Sequence, residues 1–600
     1  MSKTKSPQNI TYWQTIKTII PAYVKAMPPI YFILDNLSMP ISSCWYVLAT
    51  YVMQNLFDTV KNAVQGSASY QEVINIVLIT IGVQIMSQVI NLSTFIISQP
   101  IKVTVKGVLD RQIHAKTARL KAVDFEDAET LDCITKAKEG AASATILYSS
   151  VSSLLLFYGP YILAISFYLY SLRPLLLLSL LFIFIPLLIS QLVKGRVFSR
   201  FVDEAAPLER KLDYYQKTIY HREYFKETRI LGLFSFCNRL YSDTLTIFNF
   251  KRWQADKKTG IVDVGLRLLT LSGFFGVLYL LFSSLMDGYI SVGAFAAVFA
   301  SMNQIFGELE HALSYYLSNL MENMGAIKSY VKFLNLPEHD GTEKELDYRQ
   351  GISLRNVSFC YPNTEKDALS NITLDIKPGE TLALVGGNGA GKTTLVLLLT
   401  GILPPTKGEI LVGGENLDGM APASLYAKIS GVFQKFQKYK MPLVNNVTIS
   451  DLDSELNTEK VNKVLEQADL KMDGRYEHGL ETMLAREFDG IDLSGGEWQR
   501  ISLARGLYRG SDLIILDEPT SAIDPIEESK LYRKFIDIAS DKIAVIVTHR
   551  LGSTKIADRI VVLDKGQIDA IGTHEQLMED GGLYASMYNS QAKWYTADAE

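Results

Sequence analysis

The chain is poor in charge, in cysteine and in any N-terminal targeting signature. Of its 600 residues only 20% are charged while 48% are hydrophobic, and the net charge is −5. So small a charge gives no reason to expect nucleic acid, which favours a strongly basic face. So low a charged fraction in a chain of this length points to membrane segments. The four cysteines, Cys44, Cys133, Cys237 and Cys360, are scattered without a CxxC pair. That spacing excludes a metal-binding cysteine motif and a disulfide framework, and leaves four small apolar side chains. Lys3 and Lys5 are followed by no continuous apolar core and no small-residue cleavage site, so no signal peptide is expected here. Ile10, Trp13, Ile16, Ile19 and Ile20 recur instead at roughly helical spacing. They predict an interfacial helix at the cytoplasmic membrane surface within residues 1–28.

A chain this long exceeds what one hydrophobic core serves, so at least two domains are expected. The first half holds six apolar stretches long enough to cross a bilayer: 29–56, 72–100, 146–168, 174–193, 262–284 and 291–316. The fourth, PLLLLSLLFIFIPLLIS, is unambiguous, and the second and sixth are more polar; a single such stretch also suits a buried core helix, but six in succession do not. The connecting segment 101–140 carries Lys102, Lys106, Arg111, Lys116, Arg119, Lys121, Lys136 and Lys138, and 194–258 is similarly basic. The alternate loops hold little more than Lys61 and Arg173. This bias places both long loops and both chain ends in the cytoplasm. Ionisable residues inside spans are costly and commonly functional. Asp35 lies early in the first span; Glu308, Glu310 and His311 lie in the sixth, after Asn303 and Gln304. Glu308 and His311 either pair with each other in a solvated helix, as their spacing allows, or contribute to a polar lining that meets a cationic cargo.

Apolar periodicity stops near Leu334, and residues 336–350 are polar and charged, as a linker is. From 351 to 600 strands and helices alternate, as in a soluble α/β domain. The run GGNGAGKTT follows the strand TLALVG and opens an apolar helix. Its Gly386, Asn388, Gly389, Gly391, Lys392, Thr393 and Thr394 are the candidate phosphate cradle. Glycines let backbone N–H groups approach phosphate oxygens, the lysine reaches the β and γ phosphates, and the Thr393 hydroxyl suits Mg²⁺. The apolar strand LIILDEP ends in two carboxylates. Asp517 suits Mg²⁺ and Glu518 suits the base that polarises an attacking water. A strand ending in an acidic turn is common; following a phosphate loop, it is informative. In LSGGEWQR, Ser494, Gly495, Gly496 and Glu497 open an amphipathic helix and make an anion-binding end.

With that last motif the chain resembles the ATP-binding-cassette (ABC) family over nearly its whole length. The resemblance adds four residues. Tyr361 is similar to the aromatic that stacks on adenine, and Gln434 to the glutamine that touches Mg²⁺ and senses the membrane domain. Asp524 is similar to the aspartate linking two ATP sites, and His549 to the histidine on the γ-phosphate. Glu497 and Ile523 stand where Gln and Leu are commoner, and Glu518 is intact. The fold implied is an α-helical membrane domain of six transmembrane helices (29–335), then an α/β P-loop ATPase domain (351–600) using ATP and Mg²⁺.

In this family each ATP sits between the phosphate loop of one ATPase domain and the signature of another. The resemblance therefore implies a homodimer in the lipid bilayer, a heterodimer being the alternative. Segments 124–140 and 220–233 resemble the coupling helices that dock on the ATPase domains near Gln434. A membrane domain fused ahead of the ATPase domain resembles exporters. FQKFQKYK (433–440), residues 485–509 and REYFKETRILGL resemble peptide and lantibiotic exporters of Gram-positive bacteria. The expected cargo is a peptide; the alternatives are a lipid or drug cargo, or an ATP-dependent sensor without transport. Fewer than 30 residues precede the first span, so no leader-cleaving peptidase domain is expected there.

Overall fold

The computed structural model describes residues 10–518, 539 and 541–596. The chain divides into two compact units: residues 1–118 with 132–336, and residues 119–131 with 337–600.

The first unit is helical. α1 (Tyr12–Ala26) opens on a capping box between Thr11 and Gln14. Its buried face runs through Thr15, Ile19, Ala22 and Tyr23, one helical turn apart as an inward stripe requires. Trp13, expected on the apolar face, is exposed, and Tyr23 stacks on Tyr148 at 4.3 Å. α2 (Pro29–Val64), α3 (Tyr70–Ala118), α4 (Ala128–Ser152), α5 (Gly159–Leu172), α6 (Pro174–Tyr220), α7 (Phe225–Ile230), α8 (Phe234–Met286), α9 (Val292–His311) and α10 (Ser318–Leu334) follow. One π-helical turn, Ser153–Tyr158, joins α4 to α5, and another, Ala312–Leu317, joins α9 to α10.

The expected spans 29–56, 72–100, 174–193 and 262–284 lie within α2, α3, α6 and α8, whereas 146–168 runs from α4 through the first π-helical turn into α5, and 291–316 runs from the Ser291 cap through α9 into the second, as continuous helices. Among the described residues four are long and apolar enough to cross a membrane: Tyr70–Ala118, Ala128–Leu172, Phe234–Met286 and Val292–Leu334. The first expected span, in α2, is interrupted by Asp35, Asn36, Ser38, Ser42 and Ser43. Asp58, near the end of α2, accepts from the Gly293 N–H (2.8 Å) and the Ser291 hydroxyl (2.7 Å), capping α9 together with Ser291 itself.

The second unit is an α/β domain. A four-stranded antiparallel sheet has the order β2-β1-β4-β5, with β1 Ile352–Phe359, β2 Leu369–Ile376, β4 Lys407–Val412 and β5 Glu415–Asn416. A six-stranded sheet has the order β10-β9-β3-β8-β7-β6. Its strands are β3 Thr381–Gly386, β6 Ile429–Val432, β7 Leu513–Asp517, β8 Ile543–Val547, β9 Arg559–Asp564 and β10 Gln567–Gly572. Every pairing there is parallel except β9 with β10. β3, β7 and β8 are buried along their whole length, which explains why they read as unbroken apolar runs.

The stretch read as a linker belongs to this unit. Leu346 and Tyr348 are buried in its core, and Thr342 bridges to Met420. Two apolar residues among many charges carry no periodic signal, so the sequence reads as loop. Residues 119–131 also fall here: Val123 packs on the same core, and Asn363 Nδ2 donates to Asp127 Oδ1 at 2.9 Å. The bond to Asn363 is thus internal to this unit, and no hydrogen bond among the described residues joins segment 124–140 to Gln434. In the second segment Ile230 and Leu231 are exposed.

Candidate nucleotide site

Four adjacent parallel strands, β3, β8, β7 and β6, each release a candidate residue at the C-terminal end. The glycine loop leaves β3 at Gly386, and His549 lies two residues past β8. Asp517 ends β7 and Glu518 follows it, and Gln434 lies two residues past β6. Ligands of open α/β sheets bind at this edge.

The loop is built for close approach. Gly386, Gly389 and Gly391 all have positive φ. A Cβ on Gly386 would stand 2.2 Å from the Leu563 carbonyl oxygen, and one on Gly391 2.6 Å from a Leu369 methyl. Only glycine satisfies both the backbone and the space. The Lys392 ammonium is turned into the loop, donating to the Gly386 and Gly387 carbonyls at 3.0 Å each. Burial pulls its pKa down, against the pull of Glu518 and Asp517. Tyr361 is edge-on to Phe359 and shares a 3.2 Å hydrogen bond with the Thr394 hydroxyl.

Glu518 has φ +49, a left-handed backbone uncommon for a residue with a side chain. Its Oε2 accepts from Gln434 Nε2 at 2.7 Å, and its Oε1 lies 2.6 Å from His549 Nε2. Asp517 is almost fully buried. Burial and then the charge of Glu518 push its carboxyl up to about 6, against the pull of Lys392 and a hydrogen bond from Thr393.

Ser494 and Glu497 form a reciprocal capping box on the helix Gly495–Tyr508. Arg475 donates to Glu497 and to Asp473. The Ser494 N–H and Arg475 overcome the effect of burial and hold the Glu497 carboxyl below its usual range. Among the described residues no hydrogen bond or ion pair joins this group to the Glu518 cluster. Asp524 lies outside the described residues.

The sequence brought forward Lys392, Thr393, Gln434, Asp517, Glu518 and His549, and the fold places them at one sheet edge. It gave no sign of Arg475, which lies 22 residues from its partner, or of the Tyr361–Thr394 contact.

A profile described as "ABC transporter" matches residues 369–521. The subtilin transport ATP-binding protein SpaT of Bacillus subtilis is 30% identical, the match covering 91% of this chain and 89% of that protein. This chain belongs to the ABC transporter family.

The nisin transport ATP-binding protein NisT of Lactococcus lactis subsp. lactis is 26% identical over 89% of this transporter and 90% of that protein. An ATP-dependent lipid A-core flippase of Haemophilus ducreyi is 31% identical, over 55% of this chain and 57% of that one. The solved structure of a bacterial Atm1-family ABC exporter with ATP bound shares the fold. Its TM-score is 0.76 at 19% identity, covering 96% of this chain and all of that one. The transporter is therefore a multi-pass membrane protein of the exporter fold, with a cytoplasmic nucleotide-binding ATPase domain whose hydrolysis is coupled to transport. Transporters of this fold work as dimers in the membrane.

Proposed function

We propose that this transporter exports a ribosomally made cationic peptide of the lantibiotic kind, as a bacterial homodimer with both termini cytoplasmic, using ATP and Mg²⁺. The observation that carries the cargo is the extent of the matches. The subtilin and nisin transport proteins match about nine-tenths of the chain, whereas the lipid A-core flippase matches 55%.

The chemistry rests on the strand-end cluster. Lys392, leaving the loop carbonyls, supplies its ammonium to the phosphates of ATP. Mg²⁺, when bound, neutralises charge on the β and γ phosphates. Asp517, the Thr393 hydroxyl and Gln434 suit it: a buried carboxylate beside two neutral oxygens fits a cation that shares its shell with phosphate. Glu518 accepts the proton of the attacking water, and His549, already against Glu518, faces the γ-phosphate. Tyr361 offers a ring to adenine. Ser494 to Glu497 of a second copy cover the phosphates from the other side, and hydrolysis releases that closure.

ATP hydrolysis by the purified protein in lipid nanodiscs tests the reading, with Glu518→Gln as control. A saturable change of rate with cationic peptides supports it. A rate moved only by lipids or hydrophobic drugs removes the peptide assignment.

A further inference from the structure

We infer that Tyr158, Glu308 and His311 form a cation subsite in the membrane unit, taking an ammonium or guanidinium group of the cargo. The inference rests on the cationic-peptide reading and gives it a place. Tyr158 ends one π-helical turn, and His311 immediately precedes the other. Such turns interrupt a helix at a cost and recur at functional sites. The buried Tyr158 hydroxyl lies 3.3 Å from Glu308 Oε2 and 2.9 Å from His311 Nδ1. A phenol has one hydrogen and cannot donate to both.

The charge count decides the reading. Glu310 is taken by Arg267 at 2.6 Å, and Asp263 by Lys194 and Arg267. Glu308 has no ion pair with lysine or arginine among the described residues, and Tyr158 is its hydrogen-bond partner there. A carboxylate inside a membrane unit is costly without a cation, and this one is partly exposed, which leaves it open to a cation from outside the chain. His311 stacks on Tyr315 at 5.0 Å and meets Tyr316 edge-on at 5.3 Å. Tyr315 remains exposed beside this group, and exposed aromatic rings are surfaces over which organic cations settle.

The test compares a dansyl-labelled amphipathic lysine peptide with its norleucine analogue, binding the full chain in nanodiscs. Glu308→Gln is expected to weaken the lysine peptide about tenfold or more and leave the norleucine peptide unchanged; Glu308→Asp and Glu310→Gln keep the preference. In the wild type, the lysine peptide alone should protect Glu308 from carbodiimide labelling read by mass spectrometry, a readout that needs no variant to fold. Equal effects of Glu308→Gln on both peptides, or labelling of Glu308 unchanged by the lysine peptide, overturn the subsite. If the wild type binds neither peptide, the peptide cargo falls on its own, and tetraphenylphosphonium becomes the probe. Binding that Glu308→Gln weakens upholds the subsite; binding that it leaves unchanged overturns it.

Discussion

His549 Nε2 lies 2.6 Å from Glu518 Oε1, and each side chain comes from the end of a neighbouring parallel strand. The carboxylate proposed to take the proton from water is thus held on one side by imidazole and on the other by Gln434. Replacing Glu518 by Gln keeps that shape and removes the base. Hydrolysis should fall by roughly 10²- to 10⁴-fold, with fluorescent-nucleotide binding unchanged. Parallel losses of binding and hydrolysis would make Glu518 a structural residue.

Lys392 spends its hydrogen bonds on the carbonyls of its own loop, and these must give way to phosphate. Lys392→Ala should weaken nucleotide binding by about ten- to a hundredfold, the worth of a charged hydrogen bond of about 1.5–3 kcal/mol. Titration with a fluorescent ATP analogue measures it.

Asp517 gives a pH signature. Its carboxyl is raised from 3.8 to about 6 by burial and by Glu518. A carboxyl with a raised folded-state pKa favours the folded state while protonated, so its ionised form weighs against the fold above pH 6. Without nucleotide or Mg²⁺, Asp517→Asn should therefore raise the thermal midpoint at pH 7.5. That advantage should shrink as the pH falls through 6 and vanish below 4. Thermal unfolding across this range checks it; a gain independent of pH would contradict the assignment.

Asp58 caps α9 from α2, satisfying Gly293 N–H and the Ser291 hydroxyl. Asp58→Ala should destabilise this helix end by about 1 kcal/mol, seen as a lower thermal midpoint with the hydrolysis rate per folded molecule retained.

The candidate nucleotide site was legible because phosphate is gripped largely by backbone, and that needs contiguous glycines, a helix start and strand-end acids. Gly386 to Thr394 and Ser494 to Glu497 are read without knowing any long-range contact. The membrane unit is different. Tyr158 meets Glu308 across 150 residues, and Arg267 meets Glu310 across 43. Such pairs depend on how each helix is rotated and packed, which an almost uniformly apolar sequence does not record. Glu308 and His311 carried the right spacing to pair with each other, yet both face Tyr158. Glu310, equally acidic in sequence, is already neutralised. Leu346 and Tyr348 show the same limit in the ATPase unit: their burial comes from a sheet that begins after them.

Transport itself is the most direct test. The purified chain, reconstituted into lipid vesicles with its ATPase domain outward, should accumulate a dansyl-labelled cationic peptide inside when ATP and Mg²⁺ are added, and Glu518→Gln should abolish the accumulation. ATP hydrolysis that proceeds while no such peptide enters the vesicles would contradict the account.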